Sequence, residues 1–305
     1  MIAYILRRLA YSVLVLLGVS AITFFAVFAS GDPISMMLGA DAGPRQVEEF
    51  RTIMGLDRPV AVQYLHFLAR AVRGDFGRSL RHDTPAMALI VERLPATMLL
   101  AFGALAVSVL VAIPLGVVAA TRRASVLDDA VIATSALGLA APTFFFGSVL
   151  IMLFAVKYPL LPPSGGGSLD QLILPVATLA FGRIAVLTRF TRSGMIDVLS
   201  RQYIRTAHAK GLPHPTVLYR HALRNTLIPI VTLVGLEMGS LLGGAVITEN
   251  VFAWPGIGRL IVQAVENRDF PIVTSGVLVA AAIFTLINLI VDIVYSFINP
   301  AVRYQ

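Results

Sequence analysis

Residues 197–229 read DVLSRQYIRTAHAKGLPHPTVLYRHALRNTLIP, a polar, basic segment held between two runs apolar enough to cross a bilayer. Leu199, Tyr203 and Ala207 fall along one helical stripe with Ile196 and Ile204 beside it, while Arg201, Arg205 and His208 mark another face. That spacing predicts a short amphipathic helix. Gly211 is expected to end it, because glycine readily takes the left-handed conformation that stops a helix, and Pro213 and Pro215 discourage continuation. A second helix is expected from about Thr216 to Asn225, with Leu218 and Ala222 on one face and Arg220 and Arg224 on another. Two short helices at a glycine elbow would form a lever lying parallel to the membrane. A basic membrane-surface helix is the competing reading. The modest apolar content of the stripe favours a shallow protein groove, with the Leu199/Tyr203/Ala207 stripe preferred over the Arg201/Arg205 edge as the docking face.

The rest of the chain sets the context. Of its 305 residues 57% are hydrophobic and only 13% are charged, and the mean hydropathy is +0.83, whereas soluble domains carry roughly a quarter charged residues. The composition is that of an integral membrane protein. There is no cysteine, which excludes disulfide frameworks, thiolate metal sites and thiol nucleophiles. The formal charge of +7 fits basic residues retained on the cytoplasmic side of a membrane rather than nucleic-acid binding.

Six membrane helices are expected, at 9–29, 95–120, 131–156, 172–187, 227–247 and 272–298. Each of the longer runs covers a core of roughly 30 Å at about 1.5 Å per residue. The first run exceeds the usual length of a signal-peptide core, which argues against cleavage after Ala29. Three regions follow: 1–30, the N-terminus and first helix; 31–94, a small extracytoplasmic domain; and 95–305, the remaining helices with the cytoplasmic loop 197–226. Within the second region Val60, Tyr64, Leu65, Leu68 and Val72 repeat at helical spacing, so an amphipathic helix packed on the rim of the membrane domain is expected. Residues 159–170 and 248–271 read as loops. Pro114 and Pro142 are expected to kink the second and third helices.

Loop charge gives the sidedness. Arg7, Arg8, Arg122, Arg123, Arg189, Arg192, Arg201, Arg205, Lys210, Arg220, Arg224 and Arg303 fall on one side, and only Lys157, Arg259 and Arg268 fall in short loops opposite. Both termini and the 197–226 loop are therefore expected in the cytoplasm.

Catalytic chemistry has no support in the sequence. Lys157 and Lys210, the only lysines, follow Val156 and Ala209, so no phosphate-cradling Gly-Lys-Ser/Thr exists. His66, His82, His208, His214 and His221 have no zinc-site spacing, and no Gly-x-Ser-x-Gly elbow is present. The polar groups inside the apolar runs carry more information. Glu237 lies near the middle of the fifth run, where an ionised carboxylate costs on the order of 2.5–3.5 kcal/mol. Asn288 and Asp292 stand four apart on the sixth. Gly235, Gly239 and Gly243 recur every four residues, a small-residue pattern that suits either a tight helix contact or an open passage. Glu237, Gly239, Gly243 and Asn288 are the candidate lining of a translocation path; an interhelical hydrogen bond is the alternative for Glu237. Absence of an inverted hydropathy repeat argues against a secondary transporter or channel working through intramembrane carboxylates.

Tyr203-Ile-Arg-Thr-Ala-His-Ala-Lys-Gly211 followed by His221-Ala-Leu-Arg-Asn225 resembles the cytoplasmic coupling loop of binding-protein-dependent ABC importer permeases, in the dipeptide/oligopeptide/nickel group. The resemblance extends over essentially the whole chain. Its signposts are Gly31-Asp-Pro33, Gly55-Leu-Asp-Arg-Pro59, Gln63-Tyr64, Gly74-Asp-Phe-Gly77, Glu249 with Phe252 and Pro255-Gly-Ile-Gly258, Arg268-Asp-Phe-Pro271, Asn288 with Asp292, and Asn299-Pro-Ala-Val-Arg-Tyr304. It implies a multi-pass subunit of a prokaryotic cytoplasmic membrane that pairs with a second, homologous permease as a heterodimer. It also implies two nucleotide-binding ATPase subunits and an extracytoplasmic substrate-binding protein as partners. ATP and Mg would be used by those partners, with no cofactor in this chain. Leu199, Tyr203, Arg205, Thr206, Ala207, Lys210 and Gly211 are the implied contacts to the ATPase. Ala207 and Gly211 match the general permease motif Glu-Ala-Ala-x-x-x-Gly, with Arg205 and Thr206 in place of its glutamate and first alanine. Asn299 and Ala301 replace the Asp and Arg of the usual Asp-Pro-Arg ending. Peptides, nickel chelates, glutathione, opines and oligosaccharides all remain open as substrates.

Overall fold

A computed structural model describes residues 2–29, 43, 57–79 and 81–298, and the described residues are helical almost throughout. Most of the 31–56 segment and the 299–305 tail lie outside the described residues. The expectation of a separate domain over 31–94 therefore rests on its second half. Helices α1 (Ile2–Ala29), α2 (Val60–Ala71), α3 (Ala86–Thr121), α4 (Val126–Ala140) and α5 (Thr143–Ile151) are followed by a π-helical turn, Met152–Lys157. Then come α6 (Leu169–Leu199), α7 (Gln202–Ala209), a π-helical segment Thr216–Leu223, α8 (Arg224–Val251), α9 (Ile257–Glu266) and α10 (Phe270–Ile298). Five helices are long and apolar enough to cross a membrane, and six spans result if α4 and the helix beyond it count as one. The described chain is thus an all-α membrane protein.

Several boundaries differ from the sequence expectation. The third span is not one kinked helix: α4 and the Thr143–Lys157 helix meet at 105°. Pro142 precedes α5 in an extended conformation, with φ −60° and ψ 135°. Proline cannot donate the bond that would continue α4, and it biases Ala141 before it away from helical backbone. Pro95 and Pro114, by contrast, lie within the single helix α3, which starts at Ala86 because 86–94 are strong helix formers. The fourth span is not short; α6 runs for 31 residues. Segment 248–271 is not simply a loop, since α8 extends to Val251 and α9 occupies ten of its residues.

Two compact units divide the chain. One comprises 2–95 and 257–286. Within it Ala86 and Ile90 of α3 pack with Ile257 and Ala264 of α9 and Ile272 of α10. Tyr64 and Phe67 of α2 set their rings against Phe24 of α1, and Ser20 hydrogen-bonds the Tyr64 hydroxyl at 2.8 Å. Helix α2 thus packs on the first span as its pattern predicts, although Leu65 and Val72 of that pattern are exposed. In the Gly74–Gly77 turn, Arg70 beside Asp75 and the Gly77 N–H hold the Asp75 carboxyl below the ordinary carboxylate range.

The other unit comprises 96–256 and the chain from 287. Leu100, Ala101 and Ala104 of α3, Val176, Leu179 and Ala180 of α6, and Met238, Leu241 and Ala245 of α8 form its central core with Trp254. At one end Glu249 is fully buried and accepts a 2.7 Å bond from Thr97. Its backbone carbonyl accepts from Trp254 N–H at 2.8 Å, and the Trp254 indole donates to the Ala96 carbonyl at 2.9 Å. Gly256 lies directly against the carboxylate: a Cβ there would stand 2.1 Å from Glu249 Oε1. Gly256→Ala must displace a buried carboxylate and is expected to cost about 1–3 kcal/mol. The readout is the thermal midpoint of the detergent-solubilised protein, and an unchanged midpoint would contradict this packing.

Candidate functional site

Helix α6 ends at Leu199, and the chain turns at Ser200 and Arg201, whose extended backbone (φ −67°, ψ 148°) starts α7. In α7, Ile204 and Ala207 point inward and are 2% and 7% exposed. With Val217, Leu218 and Ala222 they pack on Val117 and Ala120 of α3 and Met195 of α6, and Leu199 and Leu212 close the edge of the cluster. The polar segment therefore has an apolar seat made of its own chain.

The elbow is built by hydrogen bonding. Lys210 N–H reaches the Thr206 carbonyl at 3.0 Å and Gly211 N–H the His208 carbonyl at 2.9 Å. Gly211 has φ +75° with nothing near a prospective Cβ, so it is needed for its backbone and not for space. Beyond the elbow, Thr216–Leu223 forms a π-helix that passes directly into α8. The second helix is therefore not a separate piece ending near Asn225; it is the first turns of the fifth span. Asn225 Nδ2 donates to the Tyr203 hydroxyl at 2.9 Å and to the His221 carbonyl at 2.9 Å, tying α7 to that span.

Of the seven residues expected to couple, Tyr203, Arg205, Thr206, Lys210 and Gly211 are exposed together, whereas Leu199 is half-buried and Ala207 is buried. Of the stripe read as the docking face, Ala207 belongs to the seat, Leu199 to its edge and Tyr203 to the free surface. The free surface is polar and basic, with His208 and His214 stacked across the elbow at 6.0 Å between ring centroids.

Behind this element, Asp128 at the start of α4 is 2% exposed and takes a two-pronged bond from Arg192 of α6, Nε–Oδ1 2.5 Å and Nη2–Oδ2 2.7 Å. Ala124 N–H adds a third bond at 3.0 Å. Deeper, Glu237 at the midpoint of α8 pairs with Arg183 at the midpoint of α6 at 2.8 Å. The interhelical alternative for Glu237 is thus realised, through a partner the sequence reading passed over because Arg183 sits singly in an apolar run. The glycine stripe is mixed in use. Gly235 packs on Val291 of α10, Gly239 is buried, and Gly243 faces open space. Asn288 lies one turn from Val291 and is half-buried. Among the described residues no cluster of His, Cys, Asp or Glu could hold a metal ion.

If the seat is what holds the segment, Ile204→Ala is expected to cost about 2–4 kcal/mol through the cavity it leaves, while Arg205→Ala stays within about 0.5 kcal/mol. Limited proteolysis at the 200–215 segment in each variant separates the two; equal protection would contradict the arrangement.

Residues 112–304 match the family model described as binding-protein-dependent transport system inner membrane component, and residues 1–101 match the model of its N-terminal part. The chain is 40% identical to the oligopeptide transport system permease protein AppB of Bacillus subtilis. It is 37% identical to the dipeptide transport system permease protein DppB of Escherichia coli and 39% identical to the glutathione transport system permease protein GsiC of the same species. Each alignment covers all of both chains.

Proposed function

We propose, from the premise that this chain belongs to the family of binding-protein-dependent transport system inner membrane components, that it is the membrane-spanning permease subunit of an ATP-driven importer of peptides. Peptide substrates are supported by the oligopeptide, dipeptide and glutathione systems named for its relatives. The chain forms the translocation path with a second, homologous permease. Two nucleotide-binding ATPase subunits supply the energy with ATP and Mg, and an extracytoplasmic binding protein delivers the substrate. Both termini and the 197–226 loop face the cytoplasm, in keeping with the excess of Arg and Lys on that side.

The observation that carries the coupling role is a polar face over an apolar seat. Tyr203, Arg205, Thr206, Lys210 and Gly211 are exposed, while Ile204, Ala207, Val217, Leu218 and Ala222 bind the same segment to α3 and α6. An ATPase subunit gripping the exposed face moves the seat with it. Because 216–223 runs into α8, the displacement enters the span that carries Glu237, and the permease pair switches between inward- and outward-open states. No bond is made or broken by this chain.

Gly211→Pro tests the coupling. Proline holds φ near −65° and cannot reach the +75° of this elbow. The variant is expected to insert in the membrane at normal levels, yet to lose uptake and the stimulation of ATP hydrolysis by loaded binding protein. Normal uptake in that variant would sink the proposal.

A further inference from the structure

The two interhelical ion pairs of the 96–256 unit are built differently. Asp128 uses both oxygens on Arg192, takes the Ala124 N–H as well, and is sealed at 2% exposure, while Arg192 is 22% exposed. That is a finished strut. Arg183 and Glu237 share a single hydrogen bond, Nη1 to Oε2, with Ser240 Oγ adding a longer one at 3.3 Å to the same oxygen. Glu237 Oε1 and the Nε and Nη2 of Arg183 make no hydrogen bond among the described residues and are not sealed off, the side chains being 12% and 25% exposed. Spare ionic capacity at the midpoint of two spans cannot face hydrocarbon, where each unsatisfied polar group costs several kcal/mol. It must open on water, on a polar solute or on the second permease.

The neighbouring backbone leaves room for a solute. A Cβ on Gly244 would lie 3.3 Å from Leu179 Cδ1 and 3.6 Å from Arg183 Nη2, so that side is filled, whereas Gly243 beside it has nothing within 4 Å. The guanidinium packs against the Gly244 backbone, and the open space begins beside it at Gly243. A free acceptor oxygen next to free donors is complementary to a molecule carrying both an ammonium and a carboxylate. Charge-assisted bonds of this kind are about twice as strong as neutral ones, yet the pair can close on itself when the solute leaves.

We propose that Arg183 and Glu237 form a mid-membrane station for zwitterionic solutes, Arg183 receiving the carboxylate and Glu237 the ammonium group of a peptide in transit. The station rests on the peptide-importer reading above. It also gives this subunit a preference for free peptide termini, independent of what the binding protein selects.

The test uses the complete complex reconstituted in vesicles, with the maximal uptake rate measured at saturating loaded binding protein. Three cargoes are compared: a tripeptide with free termini, its N-acetyl form and its C-terminal amide. The intact complex is expected to favour the free form by about tenfold over each blocked form. Glu237→Gln still accepts the Arg183 N–H, so the helix contact persists. It is expected to lose discrimination against the N-acetyl form alone, and Arg183→Gln against the amide alone. Copurification of the ATPase subunits reports assembly for each variant. Where Arg183→Gln fails to assemble, Arg183→Lys keeps the charge and is expected to keep discrimination against the amide; loss of it overturns the station. Variants that slow all three cargoes in proportion, or none, show a strut only and overturn it too. An intact complex whose ATPase responds to loaded binding protein but which carries none of the three cargoes overturns the peptide reading itself, and the station with it.

Discussion

The seating of residues 202–223 on their own membrane helices is the contact on which the proposed mechanism depends. A loop that only lay on the membrane surface would absorb a push by sliding. Here five inward side chains, Ile204, Ala207, Val217, Leu218 and Ala222, interlock with Val117, Ala120 and Met195, and close-packed interiors transmit displacement because they compress little. The Asn225–Tyr203 bond closes the segment on itself at 2.9 Å. With no break between Leu223 and Arg224, residues 216–251 form one continuous helix. The π-helical turns at this junction carry extra residues per turn, a geometry often found at functional sites. They place Tyr219, Arg220 and Arg224 outward while Val217, Leu218 and Ala222 point in.

Periodicity showed the helices and the elbow because each is local. The apolar runs located the five membrane-length helices and the bent pair α4 and Thr143–Lys157, Gly211 with Pro213 marked the turn, and α2 began at Val60, the first residue of its pattern. What periodicity could not assign was the direction of a face. The Leu199/Tyr203/Ala207 stripe looked free because the sequence does not say what lies beneath it; Ala207 in fact meets the ends of α3 and α6. Pro142 and Pro114 looked alike in sequence, yet only Pro142 breaks its span. Helix α9 was hidden by Pro255 and Gly256, whose turn signals come just before it and made the whole segment read as loop. Glu249 was visible as part of a motif, but its bond with Thr97 joins residues 152 positions apart.

Charge inside a bilayer is tolerated only where something holds it, and the holding differs with position in this unit. Near one end of its helices both Asp128 oxygens are bonded, by Arg192 and the Ala124 N–H; near the other, Glu249 is enclosed by Thr97 and the Trp254–Gly256 turn. The first holds its carboxylate by several bonds and the second by close enclosure, so both resist separation. Removing one partner of such a buried pair costs about 3–5 kcal/mol. Arg183 and Glu237, between them, have neither the number of bonds nor the enclosure. If that pair served only to join α6 to α8, the apolar contacts of Val176, Leu179 and Ala180 with Met238, Leu241 and Ala245 would already do so, and an apolar pair in its place would avoid the cost of burying charge. Charge retained where packing does not need it points to work done on a charged solute, and the middle of the span is where a solute passing between two access states must be held.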